Sequence, residues 1–482
     1  MPKGQAYDAV VVGSGPNGLA AAITLAQAGL SVIIFEGKET IGGGMRSSEL
    51  TLPGFIHDIC SAIHPLGIGS PFFRSLPLDK HGLEWIQPQA PLAHPFDDGP
   101  AAVLERSIDA TGRTLDIDAE AYKKLMEPWV INWDKLSSDL LAPLHFPQHP
   151  LLMACFGLLA IRSASGLSKS WFKGERASGF FAGLAAHSIM PLDQPLTAAF
   201  GLILGTLGHA VGWPLPRGGS QQIANALASY FYSLGGEIVT SAKVESLDSL
   251  PPARALLFDV GPRELLRIVG SHFRTDYIQK LESYRYGPGV FKMDWALNHP
   301  IPWKALECAR AGTVHIGGTL EEIEKSEKEV WDKKHPEKPY VLLAQQSLFD
   351  PSRAPVGKHT AWGYCHVPNG STFDMTKRIE AQIERFAPGF RDCILARSTR
   401  SAMELEQYNP NYVGGDINGG VQDIYQLFTR PTARLVPYST PINGMYICSS
   451  STPPGGGVHG MCGYHAANAA LKEIFKTRLV HP

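Results

Sequence analysis

Tyr7–Glu36, YDAVVVGSGPNGLAAAITLAQAGLSVIIFE, decides how the chain must fold. Tyr7 to Val12 is a short valine-rich run, the pattern of a strand buried on both faces of a parallel sheet. Gly13-Ser14-Gly15-Pro16-Asn17-Gly18 completes a G-x-G-x-x-G. Leu19 to Ala28 is rich in Ala and Leu and predicts a helix that Gly29 ends. Leu30 to Phe35 predicts a second buried strand, with Glu36 at its end. A lone glycine motif is weak evidence. This one stands between strand and helix, with an acidic residue at the expected distance. Gly13 allows the tight turn, Gly15 lets backbone approach a pyrophosphate, and Gly18 lets helix and strand pack closely. The helix N-terminus offers unpaired N–H groups and a partial positive charge to the phosphates. Glu36 is placed to accept from ribose hydroxyls, and an acid here opposes a 2′-phosphate. The nucleotide is FAD or NAD rather than NADP.

Outward from this unit, Gly37 and then Gly42-Gly43-Gly44-Met45-Arg46-Ser47 follow Glu36. This segment resembles the G-G-x-x-[RS] stretch of the amine oxidase and phytoene desaturase superfamily. The resemblance implies FAD, with Gly43, Gly44, Met45 and Arg46 along its pyrophosphate and ribityl chain. At the other end, MYICS (Met445–Ser449) predicts a buried strand. Ser450-Ser451-Thr452-Pro453-Pro454 and Gly455-Gly456-Gly457-Val458-His459-Gly460 lead from it into a helix from about Met461 to Phe475. Formally this is a second G-x-G-x-x-G, but no second strand carrying a ribose-holding acidic residue is expected after its helix. It reads instead as a helix N-terminus aimed at an isoalloxazine, where a positive end stabilises anionic reduced flavin.

The C-terminal segment is similar to the flavin motif of phytoene desaturases and carotenoid isomerases. Glu380–Phe390, Asn409–Gly420 and Arg430-Pro431 resemble phytoene-desaturase-related flavoproteins and the subgroup of pyridine nucleotide-disulphide oxidoreductase domain-containing protein 2. The likeness spans essentially the whole chain and is weaker from about Gln89 to Gly201. Ser449, Ser451 and Pro453 depart from the carotenoid enzymes' glycines and histidine. By the same resemblance, the turn before Gln221–Leu234 returns the chain to the FAD domain, Val244 contacts adenine, and Lys292 matches a lysine near flavin N5.

The expected fold is α/β: a Rossmann-like, glutathione-reductase-type FAD-binding domain built from discontinuous segments, with an inserted α+β substrate domain. The first comprises 1–75, 212–285 and 430–482; the second comprises 76–211 and 286–429. Pro251 to Gly261 predicts the return strand of the nucleotide sheet, ending in Asp259. Tyr122 to Thr206 is apolar and helical in pattern. Gly289 to Leu297 alternates, so Lys292 and Asp294 share one face and Phe291, Met293 and Trp295 the other. The alternatives for Lys292 are a group beside the flavin and an exposed pair with Asp294.

Composition narrows the function. Forty-three basic and 45 acidic residues give a net charge of −2, which leaves no reason to invoke nucleic acid. Seven scattered cysteines without a C-x-x-C read as reduced thiols in a cytoplasmic protein, so dithiol chemistry is not expected. The histidines show no ligand spacing, so no metal is expected. The N-terminus lacks signal-peptide character, and Leu196 to Trp213 reads as a buried helix rather than a membrane span. The leading expectation is hydride transfer at C–C or C=C bonds of a lipophilic, polyene or isoprenoid-like substrate, by a desaturase, saturase or isomerase. The alternatives are a flavin amine oxidase with Tyr438, Trp213 and Lys292 near the flavin, and a non-enzymatic flavin-stabilised scaffold. Candidate catalytic residues are Lys292, His459 and Arg217, with His209 bordering the cavity. Gly456, Gly457 and Val458 are expected at the flavin. Apolar helices open the further alternative of peripheral contact with a membrane. Oligomeric state is not readable.

Overall fold

Buried valines in register organise the nucleotide half of the protein, whose computed structural model describes residues 6–481. In chain order the principal elements begin with β1 (Tyr7–Val12), α1 (Pro16–Gln27) and β2 (Val32–Phe35). Next come β3 (Ala90–His94) and β4 (Ala102–Leu104), then a helical stretch holding α2 (Pro150–Ala160), α3 (Ala164–Trp171) and α4 (Thr197–Ala210). Helix α5 (Gln221–Ser233) leads into β5 (Glu237–Val239) and β6 (Ala253–Phe258). Strands β7 (Gly289–Leu297), β8 (Ala311–Ile316), β9 (Val341–Ala344), β10 (His359–Val367) and β11 (Ile394–Arg400) follow. The chain closes with β12 (Met445–Ile447) and α6 (Met461–Ala470).

Two sheets carry the architecture. The first is parallel throughout, in the order β12-β6-β1-β2-β5. Its strands read as continuous apolar runs because both faces are covered. Helices α1, α5 and α6 pack on one face, against Val11 and Ile34. The other face meets Leu265, Val269 and Tyr277 through Val10, Ile33 and Phe35. The second sheet has the order β11-β7-β10-β9-β8-β3-β4, antiparallel except for the β8–β3 pair.

Alternation in β7 and β10 has a direct consequence. Phe291, Met293, Trp295, Ala361 and Cys365 enter one apolar core. The opposite parity brings Lys292 beside Tyr364 and Asp294 beside Trp362. That face looks toward the helical stretch, where Trp362 and Tyr364 join Trp133, Phe156, Leu204 and Trp213 in a second core. Helix α4 is buried along most of its length. The α1–α6 contact is tight: a Cβ on Gly463 would lie 1.8 Å from the Asn17 carbonyl oxygen. The two glycine motifs are thereby clamped side by side.

Candidate functional site

One cavity of about 980 Å³ joins both glycine motifs to the helical stretch and the second sheet. At its nucleotide end Gly13 turns with φ +100°, and its N–H donates to the Phe35 carbonyl at 2.8 Å. A Cβ on Gly18 would meet the Gly13 carbonyl oxygen at 2.0 Å. Ser14, Gly15, Pro16 and Asn17 line the cavity, as do Glu36, Gly37, Gly43, Gly44 and Arg46. Gly18 does not line it; this glycine serves packing. Met45 is buried in the core of the nucleotide domain instead of facing the cavity, because its side chain is the apolar anchor of the loop.

The Glu36 carboxylate sits at the centre of this end. It accepts from Ser14 N–H at 3.0 Å and from Ser14 Oγ at 2.6 Å. It also accepts from Lys38 N–H at 2.9 Å and pairs with Arg46 at 3.0 Å. Arg46 donates further to the carbonyls of Thr40 and Gly43, so its head is tethered over the glycine segment. Val244 lines the cavity from a loop beyond β5.

Asp259, expected only as the end of the return strand, has a further role. Its Oδ2 accepts from Gly18 N–H at 2.9 Å, directly under the turn. Burial, with a smaller contribution from Glu36, pushes this carboxyl up to about 8. A neutral acid here spares a bound pyrophosphate an opposing charge.

At the flavin end Ser449, Ser451, Gly456, Gly457, Val458 and His459 line the cavity. His459 Nδ1 accepts from Met461 N–H at 3.0 Å, capping α6. Burial holds the ring down to about 4, so it is neutral with its proton on Nε2.

The remaining candidates are placed less centrally. Lys292 is buried and ion-paired with Asp294, so the pair is made but is not an exposed one. Burial pushes Lys292 down and Asp294 up, against their mutual attraction. The lysine borders a small void with Cys60, Trp362 and Tyr364. Those three residues also line the main cavity, which places Lys292 one side-chain layer behind its wall. Arg217 is corrected outright: it forks onto exposed Glu84 at 2.6 and 2.8 Å, away from the cavity. His209 bonds Tyr122 at 2.8 Å inside the helical core and does not border the cavity. Tyr438 donates to the Pro453 carbonyl and stacks on His465; of Tyr438, Trp213 and Lys292, only Trp213 lines the cavity.

Sequence reasoning missed Trp362, Tyr364 and the segment Cys60–Gly67, all of which line the cavity. Period-two alternation in HTAWGYCHV groups Trp362, Tyr364 and His366 on one face, and that signal was available. No group of His, Cys, Asp and Glu suited to a metal occurs among the described residues.

The family model for the NAD(P)-binding Rossmann-like domain matches residues 11–75. The chain is 26% identical to rat pyridine nucleotide-disulfide oxidoreductase domain-containing protein 2, over 97% of this chain and 94% of that protein. It is 24% identical to the lycopene-forming phytoene desaturase of Pantoea ananas, over 96% and 98%. Among solved structures, an oxidoreductase from Methanosarcina mazei superposes with a TM-score of 0.66 at 17% identity, covering 97% and 100%. A putrescine oxidase variant superposes with a TM-score of 0.63 at 16% identity, covering 98% and 99%. Over nearly its whole length the chain is similar to FAD-dependent oxidoreductases of the phytoene desaturase type, and its fold is that of the amine oxidases. Its cofactor is FAD.

The site fits that cofactor. A Cβ on Gly43 would lie 3.0 Å from Gly15 Cα, so two glycine backbones face each other across a slot with no side chain between them. Gly18→Ala is expected to yield protein that retains little or no FAD, because its methyl collides with backbone that cannot yield. Flavin absorbance per protein after purification measures this, and wild-type occupancy in the variant contradicts it.

Proposed function

We propose that the protein acts on carbon–carbon bonds of a neutral, lipophilic, polyene- or isoprenoid-like substrate, as a desaturase, saturase or isomerase. The supporting observation is how charge is distributed over the cavity lining. Charged side chains cluster at the nucleotide end: Glu36, Lys38, Arg46, Lys243, Asp259, Glu264 and Arg267. Toward the helices the wall is Trp133, Met153, Phe156, Phe200, Ile203, Leu204 and Trp213. The one charge on that side, Asp139, is already satisfied by Gln148 N–H, His149 N–H and His145. Those bonds hold its carboxyl below the usual range despite burial. No free carboxylate is left to attract an ammonium, which favours this reading over an amine oxidase.

Bound FAD supplies the two-electron centre that accepts or returns a hydride. Ser14, Gly15, Glu36, Gly43, Gly44 and Arg46 would hold its adenosine and pyrophosphate, and Gly456 to His459 its flavin end. The chain's own contribution is to orient a substrate carbon and exclude water. Trp362 and Tyr364 form an edge-to-face aromatic corner, with rings 5.3 Å apart at 87°, and His459 offers a neutral Nε2–H donor. We assign the substrate-facing portion to residues 76–211 and 286–429, and the nucleotide portion, of glutathione-reductase type, to the rest.

The test is the anaerobic visible spectrum of the FAD-loaded protein. A desaturase is expected to have its oxidised flavin bleached by acyclic polyenes in micelles, a saturase to have dithionite-reduced flavin reoxidised by them, and an isomerase to convert them with no net change in the reduced flavin; primary amines do none of these. Bleaching by amines overturns the reading. Flavin that polyenes neither reduce nor reoxidise, and whose reduced form isomerises none of them, supports a scaffold. Ile203→Trp fills the apolar end and is expected to slow polyene-driven bleaching about tenfold or more, with FAD content unchanged.

A further inference from the structure

The stretch from Leu140 to Ile161 contains no Asp, Glu, Lys or Arg, and Asp139 and Arg162 bracket it. Its helix, α2, is PLLMACFGLLA, apolar on every face. A helix of that composition belongs in a core or in lipid. Yet only Phe156 and Ala160 of α2 are buried. Leu144 is 71% exposed, Phe146 86%, Leu151 83% and Leu158 73%. Single exposed apolar residues are ordinary, but a cluster on one uncharged segment marks a contact surface.

The same segment forms one side of the substrate cavity. Leu144 and Ile161 line the cavity and are also exposed to solvent, so the cavity opens within the apolar cluster. We propose that residues 140–161 are a monotopic docking face that seats this mouth on a lipid bilayer. A bilayer accounts for both features at once: it covers the leucines and leaves an apolar route into the cavity. A protein partner on the same surface would seal the mouth.

The face lies on the membrane and does not cross it. Helix α2 has 11 residues, about 16 Å against the roughly 30 Å of a hydrocarbon core. Helix α3 follows after a bend of 96° and turns Ala164, Ser165, Leu167 and Ser168 into the protein. No single helix among the described residues is long and apolar enough to span. The remaining geometry is an interfacial helix inserted to about 5–10 Å.

The choice of lipid as occupant rests on the lipophilic-substrate reading, but the experiment reads binding alone. FAD-loaded protein is floated with phosphatidylcholine vesicles at low and high salt. Co-flotation that is little affected by salt is expected, since the face carries no charge to be screened. Leu151→Glu/Leu158→Glu alters two exposed side chains outside the cavity lining. It is expected to lower vesicle binding about tenfold or more while keeping the flavin spectrum. Wild-type protein that stays with the soluble fraction overturns the proposal. So does a concentration-dependent dimer that the same double variant dissociates, since the face would then belong to a second copy. Failure of the substrate reading looks different: vesicle binding persists while polyenes neither reduce nor reoxidise the flavin and none is isomerised.

Discussion

Lowering the pH from 6.5 toward 5 is expected to unfold the protein cooperatively. The cause is a set of buried histidines that ionise only in the unfolded chain. Burial holds His57 and His187 down to about 3. It holds His64, His94, His209, His459 and His465 down to about 4. The unfolded chain titrates these groups near 6.5, so below that pH it binds protons that the native state refuses. Stability is therefore fully present above pH 6.5 and falls as pH drops toward 4. Each such histidine adds a slope of about 1.4 kcal/mol per pH unit. Several acting together exhaust an ordinary stability of roughly 5–15 kcal/mol within about one to two pH units.

Two carboxyls do not alter the window. Asp58 is held below its usual value, so its contribution is lost only under about pH 4. Asp259 is raised to about 8. The native state therefore keeps a proton that the unfolded chain loses above about pH 4, and this offsets one histidine. Circular dichroism and flavin release against pH give the test. His94 makes its side-chain hydrogen bond by donating from Nε2–H to the Gly318 carbonyl at 2.7 Å. His94→Gln removes one titrating group, so the pH slope of urea-unfolding stability is expected to fall by about 1.4 kcal/mol per unit. A protein that stays native to pH 4.5 rules out the histidine account.

What the sequence made legible was local. The β1–α1–β2 unit and the last helix could be read because turn, helix and acid lie within thirty residues of one another. Even Gly18's packing role follows from spacing. What could not be read was carried by contacts between distant segments. Lys292 faces Tyr364, and Asp294 faces Trp362, only through the β7–β10 register. Periodicity assigns a residue to a face but does not say what covers that face, so Lys292 was left between two alternatives and proved to be buried behind an aromatic wall. Arg217 followed a conspicuous turn, but its fork was taken by Glu84 from a segment with no motif. Two apolar helices show the same limit. Composition does not separate α4, which is buried, from α2, which is not. Only the packing around each decides.

Arg353→Met is expected to destabilise the protein by about 3–5 kcal/mol, because it strands a carboxylate that no water reaches. Arg353 and Asp58 are fully buried, 2.7 Å apart, and 295 residues separate them in sequence. Asp58 does more than neutralise the arginine. Its Oδ1 accepts from Ser47 Oγ at 2.7 Å and from Ser220 N–H at 2.8 Å. One carboxylate thus ties the end of the Gly42–Ser47 segment to the turn that starts α5. Arg353 adds a bond from Nε to the Ile56 carbonyl at 3.1 Å. Losing the cation should therefore weaken FAD retention together with stability, since Ser47 directly follows Arg46. Asp58→Asn/Arg353→Met removes both charges and is expected to cost less than Arg353→Met alone, the sign of an unpaired charge rather than lost packing. Urea unfolding of the three proteins at pH 7.5, above the histidine window, separates the two causes. A single variant within about 1 kcal/mol of wild type would mean that water reaches Asp58 once the arginine is gone.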